Sequence, residues 1–152
     1  MSHTARLAEL GIELPHVAAP VAAYVPAVRT GDLVFTSGQL PTIAGEMIAH
    51  GLVGTAVEPE IAKEMARTCA LNGLAAVNSL VGLDNVVRVV KVVGFVASAP
   101  GFTGQPGVVN GASELLTEVF GSPHARSAVG VAVLPLDAPV EVELVVEVAP
   151  GS

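Results

Sequence analysis

The sequence predicts an α+β fold, a mixed β-sheet carrying two helices on one face. Three observations support this. Pro59 to Gly82 and Val108 to Gly121 place apolar residues at spacings of three and four, the period of a helix with one buried stripe. Between them Asn85 to Ala97, NVVRVVKVVGFVA, is almost continuously β-branched, which describes a central strand covered on both sides. A pair of short strand-like segments stands at each end of the chain, so the order is strand, strand, helix, strand, helix, strand, strand. Two hairpins and two crossovers in one sheet make that sheet mixed and place both helices on one side.

The 152 residues suffice for one domain with a real core. We expect a single domain over residues 1–152, with an arm over 1–20 and the core over 21–149. Half the residues (51%) are hydrophobic and 14% are charged, a balance that leaves apolar surface on a monomer and points to a homo-oligomer. Seven basic residues, scattered, face 14 acidic ones for a net charge of −7. Nucleic acid is therefore an unexpected partner. No apolar run reaches the roughly 20 residues that span a bilayer, and the first residues have no secretion-signal pattern. The expected location is cytoplasmic, with no membrane partner. Cys69 stands alone and His3, His16, His50 and His124 lie far apart, so we expect no disulfide, no metal and no cofactor.

Along the chain, Thr4 to Glu13 carries Leu7, Leu10 and Ile12, a pattern compatible with a short helix or a docked arm that stops before Pro15. The Pro- and Ala-rich PHVAAPVAAY reads as an extended lead-in. Tyr24 to Val28 and Leu33 to Gln39 form a hairpin around Thr30-Gly31-Asp32. Thr36-Ser37-Gly38-Gln39-Leu40-Pro41 follows, where the glycine either lets backbone approach a ligand or marks a bulge. Thr42 to Val57 reads as a long surface loop, with room for one short strand.

Pro59 opens a long helix whose narrow stripe is Ala62, Ala66, Cys69, Gly73, Val77 and Leu80, ending at Gly82. Small residues in its first half imply close approach to the sheet, and Cys69 on the stripe reads as a buried thiol. Arg88 and Lys91 interrupt the central strand on opposite faces. After the Pro/Gly-rich Ser98 to Gly107, Val108, Ala112, Leu115, Leu116 and Val119 form the second helix, with Gly121 to end it. Asn110 falls in its first turn, where the amide caps the helix or points into a cleft.

Ser122 to Val148 reads as two strands joined by the Pro135 to Pro139 turn. Ser127, Val129, Val131 and Val133 occupy one face of the first, while Ala128, Gly130 and Ala132 share the other with Arg126. The last strand alternates Val140, Val142, Leu144, Val146 and Val148 with Glu141, Glu143, Val145 and Glu147. Pairing Val133 with Val140 would set Glu141 opposite Ala132 and Glu147 opposite Arg126. A slip of one residue would bury ions at several kcal/mol each. Such an arginine, over a floor of small side chains, either forms an edge salt bridge over a packed sheet or grips a planar carboxylate ligand through two parallel hydrogen bonds. The small-residue face is also where identical sheets are expected to meet.

Several of these motifs together resemble the Rid family, the reactive-intermediate imine/enamine deaminases also known as the YjgF family and formerly described as endoribonucleases or translation inhibitors. The carriers are Tyr24-Val25-Pro26-Ala27-Val28, Thr36 to Pro41, Asn110, His124-Ala125-Arg126-Ser127-Ala128-Val129 and Val140-Glu141-Val142-Glu143. The likeness runs from about Tyr24 to Val148. It implies a chorismate-mutase-like trimer with a central barrel and a ligand cleft at each subunit boundary.

It also implies roles. Arg126 would bind the substrate carboxylate, Tyr24, Ser37, Gly38 and Asn110 would line the site, and Glu141 would orient water. Ala128 replaces a cysteine and Gly130 an acidic residue that many members keep, which suggests a divergent subgroup. The activity implied is hydrolysis of amino-acid-derived imines to 2-keto acids and ammonia, without metal or cofactor. The alternative is a non-catalytic trimer that binds small carboxylates or acts as a chaperone. Ribonuclease activity fits least, because a net charge of −7 opposes binding to a phosphate backbone.

Overall fold

The computed structural model describes residues 1–17 and 22–152. Its elements run α1 (His3–Glu9), β1 (Ala27–Thr30), β2 (Leu33–Thr36), α2 (Pro59–Val81), β3 (Val86–Ala97), α3 (Gln105–Phe120), β4 (Ala125–Val131) and β5 (Val140–Val148). The five strands form one mixed sheet in the order β1-β2-β5-β3-β4, with β3 parallel to β4 and the other pairs antiparallel. Helices α2 and α3 lie on one face. The core fills the space between, from Val34, Val92, Val96 and the even-numbered residues of β5 to Met65, Cys69, Leu74, Leu115 and Leu116.

Both helices stop where glycine permits it: Gly121 adopts φ 70° after α3, and Gly82 adopts φ 79° after α2. The first hairpin turns on two residues, Gly31 and Asp32, with Gly31 at φ 57°, as a primed turn requires. β1 begins three residues later than Tyr24, and β2 ends at Thr36, beyond which Gln39 alone bridges Val142. The lead-in expected before β1 includes residues 18–21, which lie outside the described residues. The Thr42 to Val57 loop is anchored by Val53, fully buried, whose N–H donates to Ala97 and whose carbonyl accepts from Ala99.

Several expectations are corrected. β4 and β5 are not a hairpin: β3 lies between them and pairs with both. The reason is the crossover through α3, which delivers β4 parallel to one side of β3 and leaves the other side for β5. The segment between β4 and β5 therefore crosses the end of the sheet rather than reversing tightly. Leu136 and Asp137 in it are both left-handed, and their carbonyls accept from His50 and Gly51. The Val133 to Val140 register does not form, and Glu147 meets Arg88, at 2.8 Å, instead of Arg126.

The small-residue face of β4 does not await another sheet. Ala128 and Gly130 pair with Gly94 and Val96 on the side of α3, and a Cβ at Gly94 would strike Val109 of that helix. Small side chains there admit the helix, while Ser127, Val129 and Val131 face outward. β3 is covered on one face only. Arg88 and Lys91 lie on the same open face because the register shifts between Val89 and Lys91, and a β-bulge returns an odd spacing to one side. Leu80 is 46% exposed, beyond the sheet that buries the rest of its stripe.

Candidate functional site

The sequence-predicted residues fall into two groups on opposite faces of the sheet. Arg126 pairs with Val92, which belongs to the helix-covered face. Its guanidinium turns toward α3, where Nη1 donates to Asn110 Oδ1 at 2.8 Å and to Ser113 Oγ at 3.2 Å, and Nη2 donates to the Pro106 carbonyl at 3.1 Å. Asn110 is thus one turn deeper in α3 than its first turn and does not cap the helix. Residues 106, 110 and 113 share one helical face at spacings of four and three, so a single side of α3 supplies all three acceptors.

A guanidinium has five N–H donors, and three are engaged here. Nε and one hydrogen on Nη2 remain for a ligand, and among the described residues no carboxylate forms an ion pair with Arg126. His124 Nε2 lies 2.9 Å from Ser113 Oγ, and its Nδ1 is buried without a partner. Burial, followed by the positive charge of Arg126, holds this imidazole below the usual histidine range.

The second group belongs to the open face. Glu141 pairs with Phe95 there, and its side chain lies against Gly38 so closely that a Cβ at 38 would come within 2.8 Å of its carboxyl carbon. The glycine is needed for that approach. Burial first, then the neighbouring Glu143, pushes the Glu141 carboxyl up from its ordinary range. Ser37 Oγ donates to the Val25 carbonyl at 2.6 Å and its N–H to the Pro26 carbonyl at 2.8 Å, which staples the segment bearing the half-exposed Tyr24 alongside. Cys69 lies beneath, its thiol 3.7 Å from the Val140 carbonyl. Burial and then Glu141 push its pKa well up, so it is no nucleophile.

The structure therefore brings Asn110 to Arg126 and Gly38 to Glu141, but does not bring Arg126 to Glu141. The common-face expectation fails because β3 intervenes. Two strand spacings (about 9.5 Å) and three residues of rise (about 10 Å) separate their backbones, and their side chains leave opposite sides of the sheet. Ser113 and His124 were not among the expected site residues; the only signal for Ser113 was its place three residues after Asn110.

Comparison with known proteins bears on this arrangement. The family model described as endoribonuclease L-PSP matches residues 15–148. The chain belongs to this family, also called YjgF or Rid. This L-PSP chain is 45% identical over 147 residues to Protein TCP17 of Trypanosoma cruzi, covering 94% of the chain and 92% of that protein. It is similar to the crystal structure of Atu1372, a protein of unknown function from Agrobacterium tumefaciens, with TM-score 0.88 and 44% identity over 97% and 92% of the two chains. It is also similar, at TM-score 0.62 and 26% identity over 89% and 93%, to E. coli TdcF with bound serine. Its backbone is thus nearer to that of Atu1372 than to that of TdcF. Among the described residues, no helix is long and apolar enough to cross a membrane and no three His, Cys, Asp or Glu side chains converge on a metal position.

Proposed function

We propose that the protein is a cytoplasmic homotrimer that hydrolyses small imines or enamines derived from amino acids, at sites assembled from two subunits. Arg126 grips the substrate carboxylate through its two free N–H groups, with Asn110 beside it. Glu141 of a neighbouring copy, with Gly38, Ser37 and Tyr24, closes the site. Water held by the Glu141 carboxylate attacks the imine carbon as the carboxylate takes its proton. The carboxyl returns that proton to the nitrogen to complete the carbinolamine, and as its C–N bond breaks the hydroxyl proton passes through the same carboxylate to the nitrogen, which leaves as ammonia and leaves a 2-keto acid. Orientation plus one general base, of order 10²–10⁴-fold, suffices for so electrophilic a carbon. Burial, which pushes the Glu141 carboxyl up, makes its carboxylate a stronger base than an exposed one.

The single observation that carries this reading is an arginine held by three neutral acceptors and, among the described residues, paired with no carboxylate. Such a group is prepared for an anion. The serine bound to the relative TdcF is a small amino acid with that chemistry. Ribonuclease activity, despite the family's description, is opposed by the net charge of −7.

The test is ammonia release from an imine generated in place by an amino-acid oxidase. Wild-type protein is expected to accelerate it, and Arg126→Ala to lose about 10- to 100-fold, the worth of charge-assisted bonds to the carboxylate. If wild type does not accelerate release but still binds a 2-keto acid, the protein is the non-catalytic carboxylate-binding trimer instead.

A further inference from the structure

We infer that Ser113 and His124 are positioning residues that hold Arg126 in its carboxylate-binding orientation, a role that rests on the reading of Arg126 given above. The two acceptors on Nη1 differ in kind. Asn110 Oδ1 is a fixed carbonyl oxygen, 2.8 Å away. Ser113 Oγ is a rotor, and a helical serine ordinarily turns back to bond a carbonyl in the preceding turn. Here its polar partners among the described residues are Arg126 at 3.2 Å and His124 Nε2 at 2.9 Å. The imidazole pins the hydroxyl, and the hydroxyl presents a lone pair to the guanidinium. With both Nη1 hydrogens fixed in this way, Nε and the free Nη2 hydrogen define the direction from which a carboxylate approaches.

The charged surroundings of His124 are simple. Arg126 neighbours it on the same strand segment and Arg88 lines the same hollow from β3, while α3 offers it Ser113. The α3 acids Glu114 and Glu118 line the opposite side, with Lys63, Glu64 and Arg67 of α2. Arg88 is itself paired with Glu147 at 2.8 Å, so among the described residues Arg126 is the charge that acts on the imidazole. A substrate carboxylate bound to Arg126 would offset that positive charge.

The experiment measures pyruvate binding by calorimetry at neutral pH. Ser113→Ala and His124→Phe are expected to weaken it about fivefold, the worth of one hydrogen bond. Ser113→Thr and His124→Gln, which keep a hydroxyl and an acceptor, should restore it to within about twofold on the same scale. Neutral pyruvamide should distinguish none of these proteins. In wild-type protein, which needs no variant to fold, the His124 imidazole followed by NMR should titrate higher with pyruvate bound than without, because the carboxylate offsets the Arg126 charge. Pyruvate affinity equal to wild type in Ser113→Ala and His124→Phe, or a His124 titration unmoved by pyruvate, overturns the positioning role. Arg126→Ala separates the two levels: if it binds pyruvate like wild type, the carboxylate grip itself is wrong and the positioning role falls with it.

Discussion

Glu141 shows how one residue's environment sets both chemistry and stability. Burial lifts its folded pKa above the unfolded value near 4.3, so the folded chain holds the proton more tightly. The ionised carboxylate therefore destabilises the fold, a penalty absent below the unfolded pKa and growing as pH rises through the folded one. Glu141→Gln is expected to unfold at a higher temperature than wild type at pH 7, with the difference closing as the pH falls toward 4. A difference that widens on acidification would contradict this. The same substitution should lower imine hydrolysis by about 10²-fold, the low end for loss of a general base. Gly38→Val makes the complementary case, since its side chain would enter the space of the Glu141 carboxyl. If Arg126 grips the carboxylate, hydrolysis should fall by a larger factor than pyruvate affinity does.

Elements explain why the two halves of the site were unequally legible. The alternation of β4 and β5, the proline and glycine limits of α2, and the stop at Gly121 were readable because each is a local preference with a physical cause. Arg126 stood out for the same reason, as a cation among small side chains. Which strand lay beside it was not local. Pattern alone cannot distinguish a β4–β5 hairpin from two strands flanking β3, and the wrong choice moved Arg126 to the face of Glu141. Likewise, the bulge near Val90 has no sequence signature, so Arg88 and Lys91 were placed on different faces. Ser113 was invisible because a lone helical serine signals nothing until its partners are known.

The arm, which the sequence leaves open as a short helix or a docked segment, is both. Thr4 N–H and Oγ1 bond Asp84 at 2.8 and 2.9 Å, His3 Nε2 lies 2.8 Å from the Val86 carbonyl, and Leu7 is buried. Leu7→Ala should cost about 2–3 kcal/mol by the usual penalty for emptying a buried leucine site, measured by denaturant unfolding. A cost below about 0.5 kcal/mol, the level of ordinary surface substitutions, would mean the arm is not held by that side chain. A second contact sets how closely the two long helices approach. A Cβ at Gly111 would collide with the Lys63 carbonyl of α2, which is backbone and cannot swing aside. Gly111→Ala should therefore destabilise, although alanine is the better helix former by about 1 kcal/mol.

At the scale of the whole molecule, the open sheet face is the feature a single chain leaves unresolved. Val28, Phe35 and Val129 on it are 53%, 40% and 44% exposed, and they lie among Glu141, Glu143 and Glu147 on a surface with no helix over it. That face, rather than the small-residue face of β4, is the one that a second and third copy would cover. Light scattering should return the mass of a trimer, and Phe35→Glu should shift it toward monomer. A stable wild-type monomer would remove the account of the site as well as of the assembly.

The most direct test follows from the separation of Arg126 and Glu141. Arg126→Ala and Glu141→Gln subunits are each expected to be nearly inactive alone, and co-expression of a trimeric protein would yield mixed trimers. If each site takes its arginine from one copy and its glutamate from the next, random pairing restores about a quarter of the sites. We expect ammonia release near that fraction of the wild-type rate. Activity no greater than the sum of the two separate variants, in trimers shown to be mixed, would mean that both groups must come from the same chain, and would contradict the account.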